Sequence, residues 1–245
     1  MQEECEVNGP VIRHLGDSAL SVEFGDRIDA ALVSRVHAFD AALNGLRLAG
    51  VVETVPTYRA TTVFLDPLTA DVGEIEAAVL RLASTKSDAR PSGRLWEVPV
   101  TYGQGFGMDL EDVAAHAGMT PAELIEAHAG PEYSVAMVGF LPGFSYLLGL
   151  DPRLSTPRRP EPRARIPASS VSIGGQQTAI GSLEGPSGWH VIGRTPARPF
   201  QPGRVPEFLF EPGDRIRFRP VSAREWPELD RDAVRGALVA ERVEG

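Results

Sequence analysis

Between Asp151 and Pro167 the sequence DPRLSTPRRPEPRARIP sets five arginines against two acids, in a protein whose formal net charge is -9. A guanidinium binds a carboxylate or phosphate through two parallel hydrogen bonds, and the five prolines of this stretch lower the entropy cost of holding such groups in place. One reading is therefore an anion site. The other is a solvated, polyproline-like loop carrying scattered charge. Downstream, ASSVSIGGQQTAIGSLEGPSGWHVIGRTP supplies hydroxyls, amides and glycines, which suit a pocket where backbone approaches a ligand and equally suit a series of turns. Upstream, VGFLPGFSYLLGL gathers aromatic rings around Pro142-Gly143 in a chain with few aromatics elsewhere.

Other chemistries lack their residues. All of the 24 basic residues except Lys86 are arginine. Lys86 sits in LASTKSDAR without the glycines of a phosphate-cradling loop, which excludes a P-loop ATPase, and the same scarcity excludes a biotin-carrying lysine and argues against a Schiff base. His14, His37, His116, His128 and His190 never fall at metal-ligand spacing, so no metal site is expected. GFSYL has Leu147 where a nucleophile elbow needs its second glycine, leaving Ser145 a structural role. Cys5 alone makes neither an internal disulfide nor a zinc cluster. The acidic balance disfavours nucleic acid and anionic membrane as partners, no apolar run is long enough to span a bilayer, and the start MQEECEVNGP does not read as a signal peptide. A cytoplasmic protein is expected.

The elements that must hold these residues change character along the chain. PVIRHLG and ALSVEFG, separated by Gly16-Asp17-Ser18, read as a hairpin, and Leu32, Val36, Phe39, Leu43 and Leu46 line one face of a helix that Gly50 stops. VVETVPTY and RATTVFLDP alternate as strands, and Asp71 with Glu74 opens a second helix. The order β-β-α-β-β-α predicts a small α+β domain over residues 1–88, an antiparallel sheet with helices on one face. STKSDARPSG reads as a linker. Residues 94–245 begin with a strand and two short helices, the second opened by Thr120, Pro121 and Glu123, and continue as short strands between glycines and prolines until a helix near residue 229. That half predicts a mostly β barrel or sandwich.

The run GFLPGFSYLLGLDPRLSTPRRPEPRARIPASSVSIGGQQTAI…GPSGWHVIGRTP, with GDSALSVEFGDRID and VVETVPTYRATTVFLDP before it, resembles the family that takes in allophanate hydrolase subunit 1, the kinase-inhibitor Kip protein and the B-type subunit of 5-oxoprolinase. The resemblance implies a small α+β domain followed by a cyclophilin-like β-barrel. It also implies a homologous carboxyltransferase-type partner subunit, ATP as co-substrate bound with that partner, and a third subunit that opens the ring of 5-oxoproline. The alternatives are a urea or allophanate carboxyltransferase-type subunit and an inhibitor of a sensor histidine kinase.

Carried over by position, the family's pattern falls on His128, Arg158, Arg163, Arg165, Ser170, Gln177, Thr178 and Arg194, and on Phe140, Pro142, Gly143, Phe144, Tyr146 and Trp189. His128 is the general-base candidate, although a histidine ending a helix also suits a C-terminal cap. The arginines would neutralise a carboxylate or phosphoryl group, with Ser170 and Thr178 donating hydrogen bonds, while the aromatic residues either wall a pocket or pack as core. The chain departs from the family pattern where VPAGSV becomes IPASSV at Ser169, TGIYP becomes TAIGS at Ala179, and PGGW becomes PSGW at Ser187. Each lost glycine adds a side chain where backbone approaches a ligand.

Overall fold

Asp71 opens a helix as its spacing to Glu74 predicts, and Asp29 opens another: each carboxylate accepts from a backbone N–H three residues on, at 3.0 Å from Glu74 and 2.8 Å from Leu32. The computed structural model describes residues 9–85 and 93–243, and the chain divides into two compact units, Met1–Arg90 and Pro91–Gly245. Cys5, Lys86 and most of the expected linker lie outside the described residues.

The first unit runs β1 (Val11–His14), β2 (Ala19–Glu23), α1 (Ala30–Leu46), β3 (Val51–Pro56), β4 (Ala60–Leu65) and α2 (Val72–Ala83). Its four strands pair antiparallel in the order β1-β2-β4-β3. Side chains alternate across a pleated strand, so Leu20 and Val22 of β2 share a face with Val63 and Leu65 of β4. Val36, Phe39 and Leu43 of α1 and Ile75 and Val79 of α2 join them in one core. Gly50 does not stop α1, which ends earlier through Arg47 in a left-handed conformation (φ 48°). Gly50 instead turns the chain into β3 with its backbone pressed on Ala70.

The second unit continues with β5 (Leu95–Tyr102), α3 (Leu110–His116), α4 (Pro121–Ala129), β6 (Glu132–Val138), β7 (Ser145–Leu148), β8 (Arg163–Ile166), β9 (Ser170–Gly174), β10 (Gln177–Ile180), β11 (Gly185–Ser187), β12 (His190–Arg194), β13 (Arg215–Pro220), α5 (Trp226–Val234) and β14 (Glu241–Val243). Strand order β12-β9-β10-β7-β6-β13-β5 closes on itself because β5 also pairs with β12, giving a seven-stranded barrel; β14 adds to the other end of β5. Only β13 and β5 run parallel among these pairs. Val98, Val135, Leu147, Ile173, Ile192 and Ile216 are fully buried in the core. Each such side chain contributes about 1.5–3 kcal/mol relative to exposure. β8 and β11 form a separate two-stranded flap. Among the described residues no helix is long and apolar enough to cross a membrane, and no three His, Cys, Asp or Glu side chains gather as a metal-binding group.

Candidate functional site

The aromatic run is folded by its glycine. The loop after β6 turns through Gly143 at φ 74°, where a β-carbon would come within 2.8 Å of Phe200 Cβ and 3.1 Å of the Pro199 carbonyl. Phe144 N–H donates to Leu141 O at 3.0 Å and Gly139 N–H to Phe144 O at 3.1 Å, which closes the loop and sends Phe144 and Tyr146 to one side. Their rings lie 4.7 Å apart, Phe140 meets Phe144 edge-on at 5.6 Å, and Tyr146 meets Trp189 edge-on at 5.8 Å. Trp189 in turn lies flat on Gly174, where a β-carbon would sit 2.5 Å from the indole.

These four rings line a cleft of about 380 Å³ together with Arg158, Arg159, Pro162 and the flap residues Pro186, Ser187 and Gly188. The Arg158 guanidinium stands 5.5 Å above the Trp189 ring, and no carboxylate among the described residues pairs with it. Burial pushes the Tyr146 phenol pKa up while the charge of Arg158 opposes the rise. The cleft therefore offers aromatic faces and one unpaired cation, an arrangement that takes a small, flat-faced anion. Pro142 belongs to the turn and lies outside the lining.

The remaining arginines separate. Arg163 spends both terminal nitrogens on Asp109, at 2.7 and 2.6 Å, and Arg159 approaches the same carboxylate at 3.4 Å. Asp109 is 1% exposed and also accepts the Val191 backbone N–H at 2.7 Å. Burial by itself would raise its pKa, but the bonds from Arg163 and Val191 and the arginine charges hold it below the usual carboxylate range. Arg163 thus ties β8 to the start of α3, and Asp109 ties that start to β12. Arg165 lies exposed on the flap and pairs with Glu184 at 3.1 Å. Ser170 is fully buried and donates to Pro167 O at 2.7 Å, so its hydroxyl serves the backbone. Gln177 sits at the β9–β10 hairpin, paired with Gly174. Arg194 lies in a different cleft, lined also by Ser169, Ser182, Trp226 and Asp230.

His128, in the last turn of α4, is fully buried, and its ring neither caps that helix nor lines the aromatic cleft. Thr178 Oγ1 donates to Ser172 O at 3.0 Å and so accepts from His128 Nε2 at 2.9 Å; His128 Nδ1 then accepts from the Tyr102 hydroxyl at 2.9 Å. The ring also stacks on Phe218 at 4.8 Å. Burial lowers its pKa to about 3, which keeps the imidazole neutral. With both nitrogens engaged and no solvent contact, this position gives a general base nothing to act on.

Asp109 and Arg159 were invisible as a pair in the sequence, since an acid opening a helix in GMDLEDV reads as an ordinary helix start. Ser187 adds to the cleft by accepting the Trp189 backbone N–H at 3.0 Å, Ala179 is buried in β10, and Ser169 adopts a left-handed φ of 59°.

A family model described as carboxyltransferase domain, subdomain C and D, matches residues 10–210. The B-type subunit of the 5-oxoprolinase of Bacillus subtilis (strain 168) is 36% identical over 229 residues, covering 88% of this chain and 94% of that one. Of solved structures, TTHA0988 superposes with a TM-score of 0.75 at 31% identity over 87% of this chain and 41% of that chain, so this chain spans about two fifths of it. The urea amidolyase of K. lactis shares the fold, with a TM-score of 0.77 at 18% identity over 96% of this chain and 16% of that one.

Proposed function

This chain belongs to the carboxyltransferase-domain family, subdomain C and D, and from that premise we propose that it is a subunit of an ATP-dependent 5-oxoprolinase, which hydrolyses the ring amide of 5-oxoproline to glutamate as ATP is hydrolysed to ADP and phosphate. The observation that carries this reading is the 36% identity to the Bacillus subtilis 5-oxoprolinase subunit over nearly the whole of both chains. The aromatic cleft gives it a place: 5-oxoproline is a small, flat ring with one carboxylate, and Arg158 over Trp189 supplies the matching cation beside stacking faces.

ATP is assigned to the assembled enzyme. This chain has no glycine-rich phosphate loop followed by lysine, and Arg158 is the cleft's one cation without a carboxylate among the described residues. The homologous carboxyltransferase-type subunit therefore supplies the phosphate-binding groups, and a third subunit opens the ring. His128 takes no part in proton transfer in this reading; it holds the barrel core. The test is ATP-dependent glutamate release by the reconstituted subunits with Arg158→Ala in this chain. A drop of at least tenfold in kcat/KM for 5-oxoproline supports the assignment, and wild-type kinetics in that variant removes the cleft from it.

A further inference from the structure

Asp109 is the N-cap residue of α3, yet its side chain makes no hydrogen bond to that helix. An aspartate in that position ordinarily accepts from the first turn, so its carboxylate serves something else. Oδ2 accepts from the Val191 N–H at 2.7 Å and from Arg163 at 2.7 Å. Oδ1 accepts from the other terminal nitrogen of Arg163 at 2.6 Å and from Arg159 at 3.4 Å. Asp112 adds a further negative charge near Arg163.

Arg159 is the member of this cluster that borders the aromatic cleft, beside Arg158. Its guanidinium is drawn to Asp109 by charge more than by geometry, since the 3.4 Å bond is long and Nε is buried without a partner. The backbone that carries it is pinned. Arg159 N–H donates to Gly188 O at 2.7 Å, His190 Nε2 donates to Pro157 O at 3.0 Å, and Thr156 and Gly175 exchange both of their backbone bonds. Only the side chain of Arg159 is therefore free to turn, and the charge of Asp109 decides where it points.

We propose that Asp109 is a specificity-determining positioning residue: by holding Arg159 away from the aromatic cleft it leaves Arg158 as the one cation there, so that the cleft takes a monocarboxylate and rejects a dicarboxylate. One carboxylate satisfies Arg158, whereas a second would lose its water against aromatic faces with no counter-charge. Asp109 is 1% exposed and does not line the cleft, so it acts through Arg159 and touches no ligand. The inference rests on the function proposed for the cleft and deepens it: 5-oxoproline carries one carboxylate and the glutamate that ring opening yields carries two, so the same clamp separates substrate from product.

Trp189 lies in the cleft and Trp96 in the barrel core, so one titration reads both binding and folding. The full chain, labelled with nitrogen-15, is titrated with 5-oxoproline and separately with glutarate, a dicarboxylate of similar size, while the indole N–H signals of Trp189 and Trp96 are followed. Trp189→Phe gives the assignment. The wild type should bind 5-oxoproline at least tenfold more tightly than glutarate. In Asp109→Asn the Val191 N–H keeps a carbonyl oxygen at Oδ2 while the amide nitrogen replaces Oδ1, which takes both charge and acceptor from Arg159. That variant should bind glutarate at least tenfold more tightly than the wild type does, with the Trp96 signal unmoved. Adding Arg159→Met should abolish the gain, which a general loosening of the fold would not do. A wild-type chain that binds glutarate as tightly as 5-oxoproline overturns the proposal without any variant. So does a folded Asp109→Asn chain whose glutarate affinity is unchanged, or whose gain survives Arg159→Met. If glutarate moves the Trp189 signal in Asp109→Asn alone and 5-oxoproline moves it in neither protein, the clamp stands and the substrate assignment fails. A signal that neither ligand moves in either protein up to roughly 10 mM, the range of weak affinity, overturns both.

Discussion

A carboxylate as enclosed as that of Asp109 stays ionised because Arg163, Arg159 and the Val191 N–H surround it. Removing it leaves guanidiniums without their acid, and Asp109→Ala should cost about 3 kcal/mol of stability, read from denaturant unfolding. Its folded pKa is depressed, so the stability it contributes is present above the unfolded carboxylate value of 3.8 and is lost as pH falls through the folded one. His128 acts over a higher window. Its unfolded form takes up a proton below 6.5 while the buried ring resists until about 3, so its contribution is full above 6.5 and declines as pH falls between those values. Unfolding free energy measured against pH should therefore slope below about 6.5 in the wild type, and less in His128→Gln, whose reconstituted activity should keep the wild-type pH profile. A lost acidic limb in that profile, the limb a general base sets as it is protonated, would restore His128 as a base. The sequence showed the type and spacing of these residues; it did not show partners, because Asp109 and Arg163 lie 54 positions apart and meet only when the barrel closes.

The elements were more legible than the contacts. Alternation and helical spacing, with Asp71 and the Thr120 capping box, predicted the β-β-α-β-β-α order and the short helices before the barrel, because those signals are local. The split of the arginines was not legible: β8 places Arg163 toward Asp109 and Arg165 out to solvent, while β12 carries Arg194 to a different opening, and strand order is a non-local property. Of the departures from the family pattern, Ser169 lines the cleft that holds Arg194, while Ser187 lines the aromatic one. The Pro142-Gly143 turn is the element whose loss should be felt most. Gly143→Ala meets both the left-handed φ and the Phe200 contact and should destabilise the chain by about 2 kcal/mol, measured as a lowered unfolding midpoint. An unchanged midpoint would show that the loop shifts freely and does not fix the aromatic rings.

For the whole molecule, an aromatic cleft with one unpaired cation and a relative named as one subunit of an enzyme support the proposal of a chain that works with partner subunits. The most direct measurement is ATP-dependent release of glutamate from 5-oxoproline by this chain alone and then with its carboxyltransferase-type and ring-opening subunits. Turnover only in the complete mixture, lost with Arg158→Ala, is the predicted result. Enzyme-like turnover by the chain alone, or no turnover in any mixture of folded subunits, would contradict it.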